Sequence, residues 1–239
     1  MSIPTKARSK QQERAERILD AAAELISRWG YDKTTMDDIS RKADVAKGTL
    51  YLHWKTREDL FEALLRRESL ELGKDFKRRI LEDPAGATLR GVYKHAALAL
   101  MKRPLLKAVL LGDQEIIGKL ARSEENRTFY ARRWAGFAVY LDFLNEHHLI
   151  RSDISLPALT YTITAIFAGF FMVAPLVPSE LKPSDEEIAS LIGETIHQTI
   201  ETGQEVPPDE LQHLSDAFIA YLEQSLENAE TQAQAGRAA

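Results

Sequence analysis

Apolar positions return every three or four residues along most of the chain. Ile18, Ala22, Leu25, Ile26 and Trp29 follow the i, i+4, i+7, i+8, i+11 rhythm of one helical face. The charged residues Glu13, Arg14, Glu16, Arg17, Asp20, Glu24 and Arg28 fall mainly elsewhere. Gly30 follows where a helix end favours left-handed geometry, so the first helix is predicted from Gln11 to Trp29. Thr35-Met36-Asp37-Asp38 has the threonine-to-acid spacing of a capping box and predicts a short helix from Met36 to Lys42. Asp44-Val45-Ala46 breaks it, and a second short helix is predicted from Lys47 to Trp54. Thr56-Arg57-Glu58-Asp59 opens a longer helix that places Leu60, Phe61, Leu64 and Leu65 on one side and continues to Leu81, ahead of Asp83-Pro84.

Further helices are expected at Gly86–Lys102, Leu105–Leu111, Ser123–His147, Leu156–Ala174, Asp185–Thr202 and Asp209–Asn228. Ser184-Asp185-Glu186-Glu187 supplies another capping pattern, and residues 112–122 read as a short helix or a loop. No segment alternates as a strand would. The expected fold class is all-α, divided into an N-terminal three-helix domain over 1–57, a helical body over 58–228 and a disordered tail over 229–239.

Composition sharpens this division. Residues 1–57 hold 12 Lys+Arg against 8 Asp+Glu, whereas the remainder holds 19 against 28, so a basic head precedes an acidic body. That asymmetry points to a polyanion-binding module joined to something else. The chain contains no cysteine, which removes disulfides, thiolate metal sites and cysteine nucleophiles. Its start lacks an apolar run followed by small residues, so the expected location is cytoplasmic. Ile154 to Ser179 is uncharged and long enough to cross a bilayer. Thr160, Thr162 and Thr164 within it and Pro157 and Pro175 around it favour a helix buried at the centre of the molecule or at a subunit interface, with no membrane role.

The head carries the chemistry. A helix, tight turn and second short helix is the plan that lays a helix in the DNA major groove. Ile39, Ala43, Val45 and Leu50 are placed to pack against Leu25, Trp29 and Leu60. Lys47, Gly48 and Thr49 begin the second short helix, where such helices meet base edges. Lys47 can donate to guanine O6 or N7, Gly48 lets backbone and bases approach, and Thr49 can meet a thymine methyl or a polar edge. Tyr51, His53, Lys55 and Arg57 supply donors suited to phosphate oxygens. Each has a plainer reading too: Lys47 as a solvated charge, Tyr51 as a half-buried aromatic, His53 as a neutral side chain bonded within the domain. The arm bearing Lys6, Arg8 and Lys10 reads as a loose terminus rather than a minor-groove reader.

Thr34-Thr35-Met36-Asp37-Asp38-Ile39-Ser40 through Ala43-Asp44-Val45-Ala46-Lys47-Gly48-Thr49-Leu50-Tyr51-Leu52-His53-Trp54-Lys55-Thr56-Arg57-Glu58-Asp59-Leu60 resembles the DNA-binding signature of the TetR (tetracycline-repressor-like) family. The resemblance covers about residues 11–65, with Asp44 where glycine is common, Leu52 where Tyr or His is common, and Trp54 where Phe is common. It implies an all-α homodimer whose N-terminal domain binds double-stranded operator DNA and whose body binds a small molecule. It implies that Lys47, Gly48 and Thr49 lie in the major groove, with Thr35, Tyr51, His53 and Arg57 near phosphates. It also implies that long C-terminal helices pair across a two-fold axis.

For the body, Trp134, Phe137 and Tyr140 fall near one helical face together with Leu141 and Leu144, and Tyr93, Phe167 and Phe170 lie on neighbouring helices. These aromatics line a cavity for a small apolar or amphipathic effector, or simply form core. Adjacent His147 and His148 point to different sides of a helix, so no metal site and no cofactor is expected. No Gly-x-Ser-x-Gly elbow, phosphate loop or metal-spaced cluster supports an enzyme. The expected function is a ligand-responsive regulator, a repressor released from its operator. The alternatives are a regulator whose body binds protein, or a helical enzyme.

Overall fold

The computed structural model describes residues 5–83, 85–118, 140–142, 144–203, 212–213, 215–216, 218–224 and 226–227, with side chains from Lys10 onward. Nine α-helices have both ends among these residues: α1 Thr5–Trp29, α2 Met36–Lys42, α3 Lys47–His53, α4 Arg57–Glu82, α5 Leu89–Met101, α6 Pro104–Leu111, α7 Gln114–Ile117, α8 Leu156–Val173 and α9 Asp185–Ile200. Extended pairing among them is confined to an antiparallel bridge between Ile150 and Glu201. The expected Ser123–His147 helix falls largely outside the described residues and the tail over 229–239 wholly so, whereas the described part of the expected Asp209–Asn228 helix (212–213, 215–216, 218–224 and 226–227) is helical.

Two compact units emerge, and their division falls inside α4. The head runs to Leu70 and also takes in α6 and α7; the body comprises Glu71–Arg103 and the described residues from Tyr140 onward. Sequence places this border thirteen residues earlier, at Arg57, because α4 begins a new periodic run there. The periodic pattern does not reveal that the first turns of α4 pack with the head.

In the head, α1 buries Ile18, Leu19, Ala22, Leu25 and Ile26. At about 1.5–3 kcal/mol for each fully buried large apolar side chain, this stripe dominates the unit's stability. Trp29 was expected in this core but is 43% exposed. The helix stops one residue later, at Gly30, whose φ of 82° turns the chain back. A Cβ at Gly30 would stand 2.1 Å from the Glu115 carbonyl oxygen, so glycine is also sterically required. The turned chain delivers Tyr31 instead, which is fully buried, meets Phe61 edge-on at 5.1 Å and donates its backbone N–H to the Ile116 carbonyl. Leu60, Phe61 and Leu64 of α4 complete this core.

In the body, α5 and α9 pack most extensively. Ile188, Ile192, Ile196 and Ile200 recur every four residues on α9 and are all buried. Thr88 caps α5 by accepting from the Gly91 N–H, which moves the start to Leu89 from the expected Gly86. Glu201, just past α9, accepts a hydrogen bond from the Leu89 N–H at 3.1 Å and so ties the two helices end to end. Helix α8 buries Leu159, Ile163, Phe167 and Phe171, one stripe at four-residue spacing. Only 22% of α8 is buried within the chain, although its mean hydropathy of 1.7 and 18-residue length would suit a membrane span. Of the two expected settings for this helix, the molecular centre or a subunit interface, burial within the chain does not support the first and leaves the second open.

Candidate nucleic-acid interface

Helix α2 starts where the Thr35 hydroxyl accepts from the Asp38 N–H and the Asp38 carboxylate accepts from the Thr35 N–H, a reciprocal cap. The Thr35 hydroxyl also donates to the Asp38 carboxylate at 2.5 Å, and that bond first, then the one from the Thr35 N–H, holds the Asp38 carboxyl below its usual range. Thr35 is thus exposed, but its hydroxyl is already engaged in capping. The turn after α2 places Asp44 at φ 52°, the left-handed region that aspartate tolerates better than most residues. This accounts for an aspartate where glycine is common. Val45 then donates its N–H to the Ser40 carbonyl, closing the turn into α3.

Seven residues are too few for a helix to persist alone, so α3 is held from outside. Its single buried side chain is Leu50, with no exposed surface. Everything else on α3 is exposed or half-buried. Lys47, Gly48, Tyr51 and Leu52 face outward, while Thr49 and His53 are half-buried, and the His53 ring lies 5.3 Å from the Trp54 ring. A Cβ at Gly48 would meet no atom within 4 Å, so no packing within the chain calls for a glycine there. The arrangement therefore brings Lys47, Gly48, Tyr51 and Leu52 together on one exposed surface.

Lys47 is not idle in the free protein. Its Nζ sits 2.6 Å from Asp37 Oδ1 on α2, and that hydrogen bond, helped by the Asp37 charge, raises its pKa. Asp37 escaped the sequence reading because the pair spans a tertiary contact that no helical spacing predicts.

Arg57, expected near phosphates, is engaged within the head of the free chain. Its Nη1 donates to the Tyr31 carbonyl at 3.2 Å and the Thr34 carbonyl at 3.1 Å, and its guanidinium lies 4.0 Å from the Tyr31 ring centre. These carbonyls belong to the link between α1 and α2, where no helical partner exists for them. Arg57 braces that link. Burial and a hydrogen bond donated to Glu58 push the Tyr31 hydroxyl up to about 12, and the same bond holds Glu58 low.

The expected effector residues lie apart from this surface. Tyr140 is buried, donates its hydroxyl to the Ala87 carbonyl at 2.6 Å and packs 4.7 Å from Phe218. Tyr93 meets Phe167 at 5.4 Å, Phe167 meets Phe171 at 5.2 Å, and Phe170 is half-buried. Trp134 and Phe137 fall outside the described residues. A recess of about 210 Å³ in the body is lined by Asp83, Thr88, Arg90, Lys94 and Ser190 among others and includes none of those aromatics. Drug-sized pockets run from about 300 Å³ upward. Among the described residues, no His, Asp or Glu grouping could hold a metal.

A short α2, a tight turn, and a short α3 offering lysine, a bare glycine and tyrosine outward form a helix-turn-helix, the arrangement that can lay a helix in the DNA major groove. Residues 18–64 match the family model of "Bacterial regulatory proteins, tetR family". The chain is 27% identical over 122 residues to the HTH-type transcriptional regulator AcrR of Shigella flexneri, covering 48% of this chain and 56% of that one. It is 31% identical over 119 residues to the HTH-type transcriptional repressor KstR of Mycolicibacterium smegmatis, covering 46% and 57%. The chain thus spans a little over half the length of these relatives. Beyond the head the likeness is of fold: the transcriptional regulator FadR from Bacillus subtilis, solved in complex with stearoyl-CoA, superposes with a TM-score of 0.60 at 18% identity. That match covers 80% of this chain and 99% of FadR.

Proposed function

We propose that this chain is a ligand-responsive transcriptional regulator that binds operator DNA as a two-fold homodimer and is released by a small apolar or amphipathic effector. The observation that carries the reading is the outward face of α3, where Lys47, Gly48 and Tyr51 do nothing for the core. In the groove, Lys47 exchanges Asp37 for a guanine edge, Gly48 admits the base pair to the backbone, and Thr49 meets a neighbouring edge. Tyr51, His53 and Thr35 approach phosphates, while Arg57 keeps the link between α1 and α2 in shape.

The second copy covers α8. Tyr161, Ala165, Ala168 and Met172 form a stripe at i, i+4, i+7, i+11, with Tyr161 78% and Met172 62% exposed. The small residues between them let two helices approach closely, and a two-fold axis makes this patch self-complementary. Such a dimer presents its two α3 helices about 34–36 Å apart, one turn of DNA.

Because α4 belongs to both units, effector binding in the body reaches the head through one continuous helix. Coupling of about 1–3 kcal/mol changes operator affinity about 5–150-fold, and operator must weaken effector binding equally. That FadR holds stearoyl-CoA supports an amphipathic effector.

The test begins with selection of duplexes from a random pool by the full chain. The expected product is a palindrome whose bound complex weakens roughly 5–150-fold in Lys47→Ala, with relaxed preference at one position. A wild-type chain that enriches no sequence overturns the reading. With an operator in hand, ligand affinity with and without operator, and operator affinity with and without ligand, complete the thermodynamic cycle. A bound ligand that leaves both affinities unchanged removes the effector role.

A further inference from the structure

We propose that Leu52 is a specificity-determining residue that seats the C5-methyl group of a thymine in each operator half-site. The inference rests on the DNA-binding role of α3 and adds a reader that the lysine-glycine-threonine triplet does not supply.

Leu52 is 85% exposed, the highest exposure among the exposed large hydrophobic residues of the described chain. It adds little to the packing of the head, since the buried side chain of α3 is Leu50. An isolated exposed leucine needs no explanation by itself. Its position does. Leu52 follows Gly48 by one helical turn, so the two share a face, and the space beside Gly48 is open for 4 Å around a would-be Cβ. The adjacent row is polar, with Lys47 and Tyr51 also one turn apart. The outward surface of α3 therefore consists of a donor row beside a row that is bare and then apolar.

A base pair entering over Gly48 meets Leu52 as the neighbouring side chain. The major-groove edges of guanine, adenine and cytosine offer acceptors or donors, which a leucine would strip of water without replacing the hydrogen bond. Thymine alone presents a methyl group. Leucine gains by covering that methyl and loses against every other edge, so it discriminates by both attraction and exclusion.

The test removes the methyl and nothing else. In the selected operator, each thymine is replaced in turn by deoxyuridine, and binding of the full chain is followed by fluorescence anisotropy. At one thymine in each half-site the change should weaken the wild type about fourfold, or about fifteenfold when both half-sites are changed, as expected for burial of one methyl group. Leu52→Ala, which should melt with the wild type, should bind the thymine and deoxyuridine operators equally. Selection repeated with Leu52→Gln should lose the thymine at that position. The proposal is overturned if no deoxyuridine position costs the wild type more than twofold, or if the penalty survives in Leu52→Ala. A penalty that instead vanishes in Thr49→Ser assigns the methyl to Thr49 and overturns it equally. Failure to select any operator would defeat the DNA-binding reading itself, a separate result.

Discussion

Helices α3 and α8 both leave most of their surface uncovered, but with opposite chemistry. The outward face of α3 is lysine, glycine, tyrosine and one leucine, on a seven-residue helix whose one buried side chain is Leu50. The outward face of α8 is Tyr161, Ala165, Ala168 and Met172, on an 18-residue helix firmly seated by a four-residue apolar stripe. A face that water must wet at other times can be polar and sparse; a face meant for a permanent neighbour can stay apolar. The first suits DNA, which comes and goes with salt. The second suits another copy of this chain, which would hide it continuously.

The largest effect should come from charging the apolar face. Tyr161→Glu buries two carboxylates across a two-fold axis and should raise the dimer dissociation constant about a hundredfold or more. Because Tyr161 is 78% exposed within the chain, the variant should still fold, which makes it a cleaner test than the half-buried Ile166. Sedimentation without detergent reads the outcome. Unchanged dimers would mean that α8 faces something else.

Arg57→Ala comes next. It removes the hydrogen bonds to the Tyr31 and Thr34 carbonyls and the contact with the Tyr31 ring, at a cost of about 1–3 kcal/mol in urea unfolding. The salt dependence of operator binding should keep its slope. A slope shallower by about one would return Arg57 to the phosphate contacts.

Acid should weaken the head in a direction fixed by its caps. The folded-state pKa values of Asp38 and Glu58 lie below their ordinary values, so their stabilisation is present above pH about 4 and is lost as pH falls through the lower folded values. Asp38→Asn should melt lower than the wild type at pH 6 and lose less on going to pH 3. Parallel melting curves for the two proteins would remove the role of the cap.

What could be seen in the sequence was local. The Met36–Lys42 helix and the start of α9 were legible because each capping box lies within four residues, Thr35 to Asp38 and Ser184 to Glu187. The exchange of Trp29 for Tyr31 in the core was not, because it depends on the turn at Gly30 meeting Glu115, 85 positions along. Periodicity likewise showed α8 to be apolar but could not tell a face buried in the chain from one left for a neighbour. Among the candidate DNA residues, Lys47, Gly48 and Tyr51 were readable as a motif. Asp37 and the bracing role of Arg57 were not, since both depend on contacts between different elements.

The central claim is that the outward face of α3 is built for DNA and not for the fold, and Gly48→Ala tests it with two readouts of opposite sign. Gly48 has no neighbour that a methyl group would strike, and alanine suits a helix better by roughly 0.5–1 kcal/mol. Thermal unfolding should therefore show equal or raised stability, while anisotropy titration should show operator affinity falling severalfold as the methyl holds the base pair away. A variant that binds operator as tightly as the wild type, or that loses stability in step with affinity, would contradict the account.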